Sequence, residues 1–185
     1  MQALLPPAFD IQATINAMGP GVERVFINAA AFSKIQFDEL ASSLKNAQPY
    51  DTLDAVMTAA ARNHAELNDA AQAAALDLGI EFKAAPLKNA ERTQLKVEDK
   101  YAGNYRKIAD VARTGITART FEEAERFVAA MAARFHLVDE GWLLTPVGYF
   151  DKKIMVRFDD GQLGEIQIWP PGMLDAKKQG RPQAI

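Results

Sequence analysis

The sequence predicts an α+β protein in which an alanine-rich helical N-terminal region precedes a mostly antiparallel mixed sheet with helices on one face. In the first half, apolar residues recur three and four positions apart, as they do along one face of a helix. In the second half, apolar and polar residues alternate, as in strands that bury one face. The composition changes near residues 82–86, so we expect a helical region over residues 1–83 and a second domain over residues 84–185.

Composition limits the classes of function. With 49% hydrophobic and 24% charged residues in 185, the chain has enough apolar material for a buried core. The net charge of -3 disfavours a general nucleic-acid coat protein, which relies on clustered cations. The absence of cysteine excludes disulfides, thiolate metal sites and a cysteine nucleophile. The sequence contains no bilayer-spanning apolar run and no signal-peptide pattern at its start, so we expect action in the cytoplasm, after delivery by other machinery if the protein leaves its cell.

The N-terminal half predicts helices separated by clear breaks. Gly19, Pro20 and Gly21 separate a short first helix from a second, which the spacing of apolar residues predicts around Val22 to Ala29. The longest helix is expected to begin at Asp51 or Thr52 and to end at Gly79, where glycine suits a left-handed cap.

The second half predicts a charged helix, a short strand, an amphipathic helix and then mainly strands. Thr120 and Glu123 have the spacing of a capping box. Asp160 and Gly161 indicate a tight hairpin, and Pro170 ends the last strand because proline cannot donate to a ladder. The predicted elements are helices over Leu87 to about Asn104 and Phe121 to Phe135, and strands over Val111 to Ala118, Leu137 to Leu144, Asp151 to Phe158 and Leu163 to Trp169.

The last two predicted strands place polar groups together on one face of the sheet. Side chains alternate between the two faces of a strand. The residues predicted to face the core are Ile154, Val156, Phe158, Ile166 and Ile168, and those predicted to share the opposite face are Lys153, Arg157, Glu165, Gln167 and Trp169. Such a mixture could bind a charged, ring-containing ligand such as a nucleotide, or it could be the solvated face of an antiparallel sheet.

The charged helix carries a stripe of cations. Lys88, Arg92, Lys96 and Lys100 are each four residues apart and would lie above one another on a helix. Nearby acids relieve only part of their mutual repulsion, so the stripe is either a polyphosphate site or a solvated face with scattered ion pairs. Asp110 and Glu165 would together supply the oxygen ligands that Mg²⁺ prefers beside substrate phosphates.

These residues, in this order, resemble the synthetase domain of the RelA/SpoT family over about residues 84–178. The motifs that carry the resemblance are Pro86-Leu87-Lys88, Arg92, Lys96, Tyr101-Ala102-Gly103, Asp110-Val111-Ala112-Arg113, Gly148-Tyr149 and Glu165-Ile166-Gln167-Ile168. The resemblance implies phosphate binding by Lys88, Arg92, Lys96 and Arg113, magnesium binding by Asp110 and Glu165, and acceptor binding by Tyr149, with Gln167 and Lys153 as further acceptor contacts. Glu165 would also act as the catalytic base.

The resemblance also implies an activity and partners. The protein would transfer pyrophosphate from ATP to the 3'-hydroxyl of a purine nucleotide, making (p)ppGpp or (p)ppApp. The motif sequences are most similar to those of the divergent small synthetases of phages and interbacterial toxins. This similarity implies growth inhibition and an antitoxin or immunity protein as partner. The sequence after Tyr149 and the position of Arg113 depart from the family pattern, so the acceptor stays open among GDP, GTP, ADP, ATP and a tRNA 3' end. A noncatalytic module that binds nucleotides or proteins is the remaining alternative. We interpret both histidines, His64 and His136, as surface or packing residues.

Overall fold

The computed structural model describes residues 9–20, 25–26 and 48–179. Within them the helices are α1 (Ile11–Ala17), α2 (Leu53–Leu78), α3 (Ala90–Tyr101), α4 (Phe121–Ala132) and α5 (Met173–Gln179), with a 3-10 turn at Tyr105–Lys107. The strands are β1 (Val25–Phe26), β2 (Glu81–Lys83), β3 (Ala112–Thr117), β4 (His136–Leu144), β5 (Phe150–Arg157) and β6 (Leu163–Trp169). The predicted α+β class is confirmed.

The strands form one mixed sheet in the order β1-β4-β5-β6-β3-β2. The pairs β4/β5, β5/β6 and β2/β3 are antiparallel, whereas β1/β4 and β3/β6 are parallel. The β5 and β6 strands are joined by the predicted hairpin, in which Gly161 has a φ of 89°. The parallel β3/β6 pairing places Arg113 beside Glu165, so the two predicted motifs meet in the middle of the sheet.

Most predicted element positions are confirmed, with two corrections. The longest described helix is α2, with Thr52 as its N-cap and Gly79, at a φ of 67°, as its C-cap. Val25 and Phe26, predicted to be helical, instead form a strand parallel to β4; the remainder of that predicted helix lies outside the described residues. Helix α3 begins at Ala90 because the Asn89 side chain caps it, so Lys88 precedes the helix and is not part of a helical stripe.

The described helices α2 and α4 pack on the sheet face that the sequence predicts as apolar. The core includes Ile154, Val156, Ile166 and Ile168 from the sheet together with Val56 and Leu67 from α2 and Phe127 and Met131 from α4. Helical residues from both sides of the predicted boundary at residue 83 therefore share one core with the sheet. None of the described helices is long and apolar enough to cross a membrane.

One charged side chain lies on this apolar face. Lys152 of β5 is only 3% exposed, and its Nζ lies 3.0 Å from a carboxylate oxygen of Glu125 on α4 and 2.8 Å from one of Asp139 on β4. A buried ammonium needs such partners, because an unpaired charge in the core would cost several kcal/mol, on the order of its desolvation penalty. Lys152 thus joins α4 to the sheet through charge.

A second polar contact fixes α2 to the β5/β6 hairpin. The Asn63 amide donates to Gln162 Oε1 at 2.8 Å and to both carboxylate oxygens of Asp160 at 3.1 and 3.2 Å. The Gln162 amide in turn donates to the Val56 carbonyl oxygen at 2.9 Å. Asn63 and Gln162 are both buried, so these bonds replace solvation that the two amides have lost.

We predict that Asn63→Ala lowers the free energy of unfolding by about 1–3 kcal/mol, because Gln162 Oε1 would stay buried without its donor. Urea titration followed by far-UV circular dichroism measures this loss. The matched control is Gln72→Ala, at an exposed position of the same helix, which should change the free energy by less than about 0.5 kcal/mol. Equal losses in the two variants would contradict the importance of the hairpin contact.

Candidate functional site

The predicted acid Asp110 is held by two predicted phosphate-binding lysines. Its Oδ2 accepts hydrogen bonds from Lys88 Nζ at 2.6 Å and from Lys96 Nζ at 2.7 Å. Lys96 is on α3, whereas Lys88 is brought to the site by the backbone bond from its N–H to the Val111 carbonyl oxygen at 3.1 Å. Burial alone would raise the pKa of Asp110, but Lys96 and Lys88 lower it, so the carboxylate is ionised at neutral pH.

The other two predicted phosphate-binding residues, Arg92 and Arg113, are placed on α3 and β3. Arg92 is exposed on α3, one turn before Lys96. Arg113 is on β3, and its guanidinium donates to the Pro86 carbonyl oxygen from Nη2 at 2.9 Å and from Nε at 3.3 Å. Its charge contributes to lowering the pKa of Lys88, after the larger effect of burial, which places both cations in the same region of the molecule. The phosphate-binding roles of all four cations stay predictions.

Glu165 lies on β6, directly opposite Arg113 on β3 and Met155 on β5. No described residue donates a hydrogen bond to its carboxylate. Burial, and after it the negative charge of Asp110, raise the pKa of Glu165 to about 7. At neutral pH, Glu165 is therefore divided between its protonated and ionised forms, as suits a proton acceptor.

Two further acids lie beside Lys153, and the sequence interpretation missed both. The register between β4 and β5 passes from Asp139/Ile154 to Trp142/Lys152, so Glu140 and Gly141 together oppose Lys153 in a bulge. Burial raises the pKa of Glu140, and Lys153 only partly offsets this. Gly141, a glycine within a strand pattern, is the signal in the sequence that could have predicted the bulge.

The other missed acid, Asp151, belongs to a network around Tyr149. The Tyr149 hydroxyl accepts from Trp169 Nε1 at 2.9 Å and donates to Asp151 Oδ2 at 3.1 Å, and Gln167 Nε2 donates to the same oxygen at 3.2 Å. Asp151 is 1% exposed, and burial raises its pKa. The predicted acceptor residues Tyr149, Gln167 and Lys153 thus share one carboxylate, which lies 4.0 Å from Lys153 Nζ.

The ring of Tyr149 has neighbours that affect its use as a stacking surface. Lys177 Nζ of α5 lies 5.0 Å from the ring centroid, a cation-π distance. Trp169 can reach the Tyr149 hydroxyl because it lies across Gly115 of β3; a Cβ at Gly115 would come within 2.3 Å of the indole ring. A purine that stacks on Tyr149 therefore has to share the ring with Lys177 or displace it.

The residues present fit a magnesium ion bound with its substrate. Asp110 Oδ1 is buried and, among the described residues, has no hydrogen-bond partner, while Asp110 raises the pKa of Glu165 by repulsion. A divalent cation would coordinate Asp110 Oδ1 and would reduce the repulsion between the Asp110 and Glu165 carboxylates. Across the described residues there is no cluster of three or more His, Cys, Asp or Glu side chains that could hold a metal. Mg²⁺ often uses only one or two carboxylates and completes its shell with water and phosphate oxygens.

The fold and this cluster define an α+β domain in which Asp110 lies close enough to Glu165 to raise its pKa and is itself held by Lys88 and Lys96. No family profile matches the sequence, and no curated protein matches it. The chain is similar to a solved structure described as the crystal structure of the complex between the Type VI effector Tas1 and its immunity protein, with a TM-score of 0.55 and 26% identity. The match covers 66% of this chain and 63% of that one, so this chain spans less than two thirds of its neighbour's length.

We predict that Glu165→Gln stabilises the metal-free protein at pH 8 and does so much less at pH 5. Burial raises the pKa of Glu165 in the folded protein to about 7, whereas its ordinary pKa, taken for the unfolded chain, is 4.5. Stability is therefore lost as the pH rises from about 4.5 to about 7, and glutamine avoids this loss. The expected gain at pH 8 is about 1–3 kcal/mol.

Urea unfolding in EDTA at the two pH values measures this difference. The control is Glu66→Gln, at an exposed position of α2. Its free energy of unfolding should differ from that of the wild type by the same small amount at both pH values. A gain for Glu165→Gln that is equal at pH 5 and pH 8 would show that the effect does not come from ionisation.

Proposed function

We propose that the protein is a magnesium-dependent pyrophosphokinase that transfers pyrophosphate from ATP to the 3'-hydroxyl of a purine nucleotide. The observation that supports this most is the presence of two unlike carboxylates in one site, Asp110 just before β3 and Glu165 on the adjacent parallel strand β6. Asp110 is kept ionised by Lys88 and Lys96, whereas the pKa of Glu165 is raised to about 7. One acid is thus suited to hold a cation and the other to accept a proton.

In the proposed reaction, the 3'-hydroxyl of the acceptor gives its proton to Glu165, and its oxygen forms a bond to the β-phosphorus of ATP. The bond between that phosphorus and the oxygen of the α-phosphate breaks, and AMP leaves. Such transfer depends mostly on positioning and on neutralising charge. Lys88 and Lys96 would turn from Asp110 toward the triphosphate, with Arg92 and Arg113 as further phosphate contacts.

Asp110 and Glu165 would hold the magnesium ion, with Asp110 Oδ1 as the available oxygen. The ion supplies neutralisation of the charge on the phosphates. Tyr149 would stack on the acceptor purine, its ring orientation set by the hydrogen bonds of its hydroxyl to Trp169 and Asp151. Stacking alone discriminates poorly between purines, so it does not choose between guanine and adenine acceptors.

We further propose that the protein is a growth-inhibiting toxin that acts on nucleotides in the cytoplasm and is neutralised by an immunity protein. The support is the similarity to the structure of a Type VI effector in complex with its immunity protein. Expression of the wild type in a bacterial host should then slow growth, and Glu165→Gln should relieve the inhibition at equal soluble protein levels.

The activity is tested by incubation with γ-labelled ATP, Mg²⁺ and each of GDP, GTP, ADP, ATP and tRNA in turn. We expect label on one acceptor together with an equal amount of AMP, and no transfer in EDTA. Label on tRNA instead of a nucleotide would favour the alternative of 3'-end modification. Nucleotide binding without any transfer would favour a noncatalytic module.

Substitution of the two acids should abolish the transfer. We predict that Glu165→Gln and Asp110→Asn each lower kcat by about 100-fold or more, the usual effect of removing a general base or a charge-stabilising group. Glu66→Gln is the control and should retain full activity, because Glu66 is exposed on α2. Wild-type rates in the Glu165→Gln variant would refute the role assigned to this residue.

A further inference from the structure

The segment that carries Lys88 to Asp110 is held in place by side chains from outside it. It runs from the end of β2 at Lys83 to the cap of α3 at Asn89. The ladder with β3 ends at the Lys83/Gly115 pair and is followed by one more backbone bond, from Lys88 N–H to the Val111 carbonyl oxygen at 3.1 Å. Between these points, Pro86 has no N–H to donate, so the ladder is interrupted.

Two successive carbonyl groups in this interruption accept bonds from side chains. His64 Nε2 of α2 lies 2.7 Å from the Ala85 carbonyl oxygen, and Arg113 Nη2 of β3 lies 2.9 Å from that of Pro86. The carbonyl oxygen can only accept, so Nε2 of His64 carries the proton. The two side chains thus satisfy carbonyl groups to which the interrupted ladder supplies no strand donor.

The same face of α2 also holds β3. Asn68 lies one turn after His64, and its amide donates to the Arg113 carbonyl oxygen at 2.9 Å. Its Oδ1 accepts from the hydroxyl of Thr114, which is 1% exposed, at 2.8 Å. Helix α2 is therefore bonded both to the strand that follows Asp110 and to the segment that carries Lys88.

We propose that His64 is a positioning residue for the site and that it acts through Lys88 on triphosphate binding. The effect on triphosphate binding rests on the proposed function. The first step, in which His64 fixes the segment over residues 84–88, does not depend on that function. Lys88 Nζ lies on Asp110 in the free protein and would turn to a phosphate when ATP binds, so a shift of its backbone would weaken the phosphate contact. A helix of the predicted N-terminal region thereby becomes part of the catalytic unit.

The first measurement is hydrogen exchange of the Lys88 amide, whose bond to Val111 reports opening of the segment. We expect about 5–10-fold faster exchange in His64→Ala and a rate close to wild type in His64→Gln, whose amide can donate to the same carbonyl. The control is His136→Ala, the other histidine of the chain, which is exposed on β4. Unchanged exchange in His64→Ala would overturn the proposal, as would equal effects of alanine and glutamine.

The second measurement is the Kd of α,β-methylene-ATP, in which the bond to be broken cannot react. His64→Ala should raise this Kd about 5–10-fold in the wild-type background and have no further effect in Lys88→Met, because both changes remove the same contact. Full additivity of the two changes would overturn the action through Lys88. Should His64→Ala fail to fold, His64→Phe, which keeps a ring without the donor, replaces it in both measurements.

The two measurements separate failure of this inference from failure of the proposed function. A wild-type protein that does not bind the analogue would refute the proposed function, while exchange at Lys88 would still decide whether His64 fixes the segment. Normal binding by the wild type, with no change in exchange or Kd in His64→Ala, would refute the inference alone.

Discussion

The parallel pairing of β3 with β6 is the constraint on which the site depends. Parallel neighbours need a long connection, and here α4, β4 and β5 all lie between the two strands in the chain. The pairing places Asp110, just before β3, close enough to Glu165 on β6 for its charge to raise the pKa of Glu165. Without it, Glu165 would not lie near the Asp110 carboxylate that Lys88 and Lys96 hold.

Local patterns in the sequence predicted much of the fold. The period of two in β5 and β6 predicted which side chains face the core, because one face of each strand is buried by helices. The cap residues Thr52 and Thr120 marked the starts of α2 and α4, since each side chain accepts a bond from the backbone N–H three residues ahead. The strand at Val25 and Phe26 was missed because its pairing with β4 is nonlocal and short.

The candidate site was predictable in its residues and less so in its arrangement. Asp110, Lys88 and Lys96 were expected to take part, and the structure brings them together. The four-residue spacing that suggested this contact does not produce it, because Lys88 lies before α3. The hydrogen bond from the Lys88 N–H to the Val111 carbonyl oxygen instead places Lys88 next to Asp110. The sequence did not assign three residues to the site, because their places depend on tertiary structure. Glu140 lies in a bulge, Asp151 is buried, and His64 contacts a segment distant in the chain.

The two consecutive lysines of β5 have a consequence for how the chain selects its pairing. Lys152 lies between Glu125 of α4 and Asp139 of β4, whereas Lys153 lies on the opposite face beside Asp151. A slip of β5 by one residue would bring Lys153 or Asp151 into the place of Lys152. It would also bring Arg157 into the place of Val156, or Lys153 into the place of Ile154. Either slip would therefore bury a charge at a position that the core gives to an apolar side chain, whereas in the native alignment the inward Lys152 meets Asp139 and Glu125.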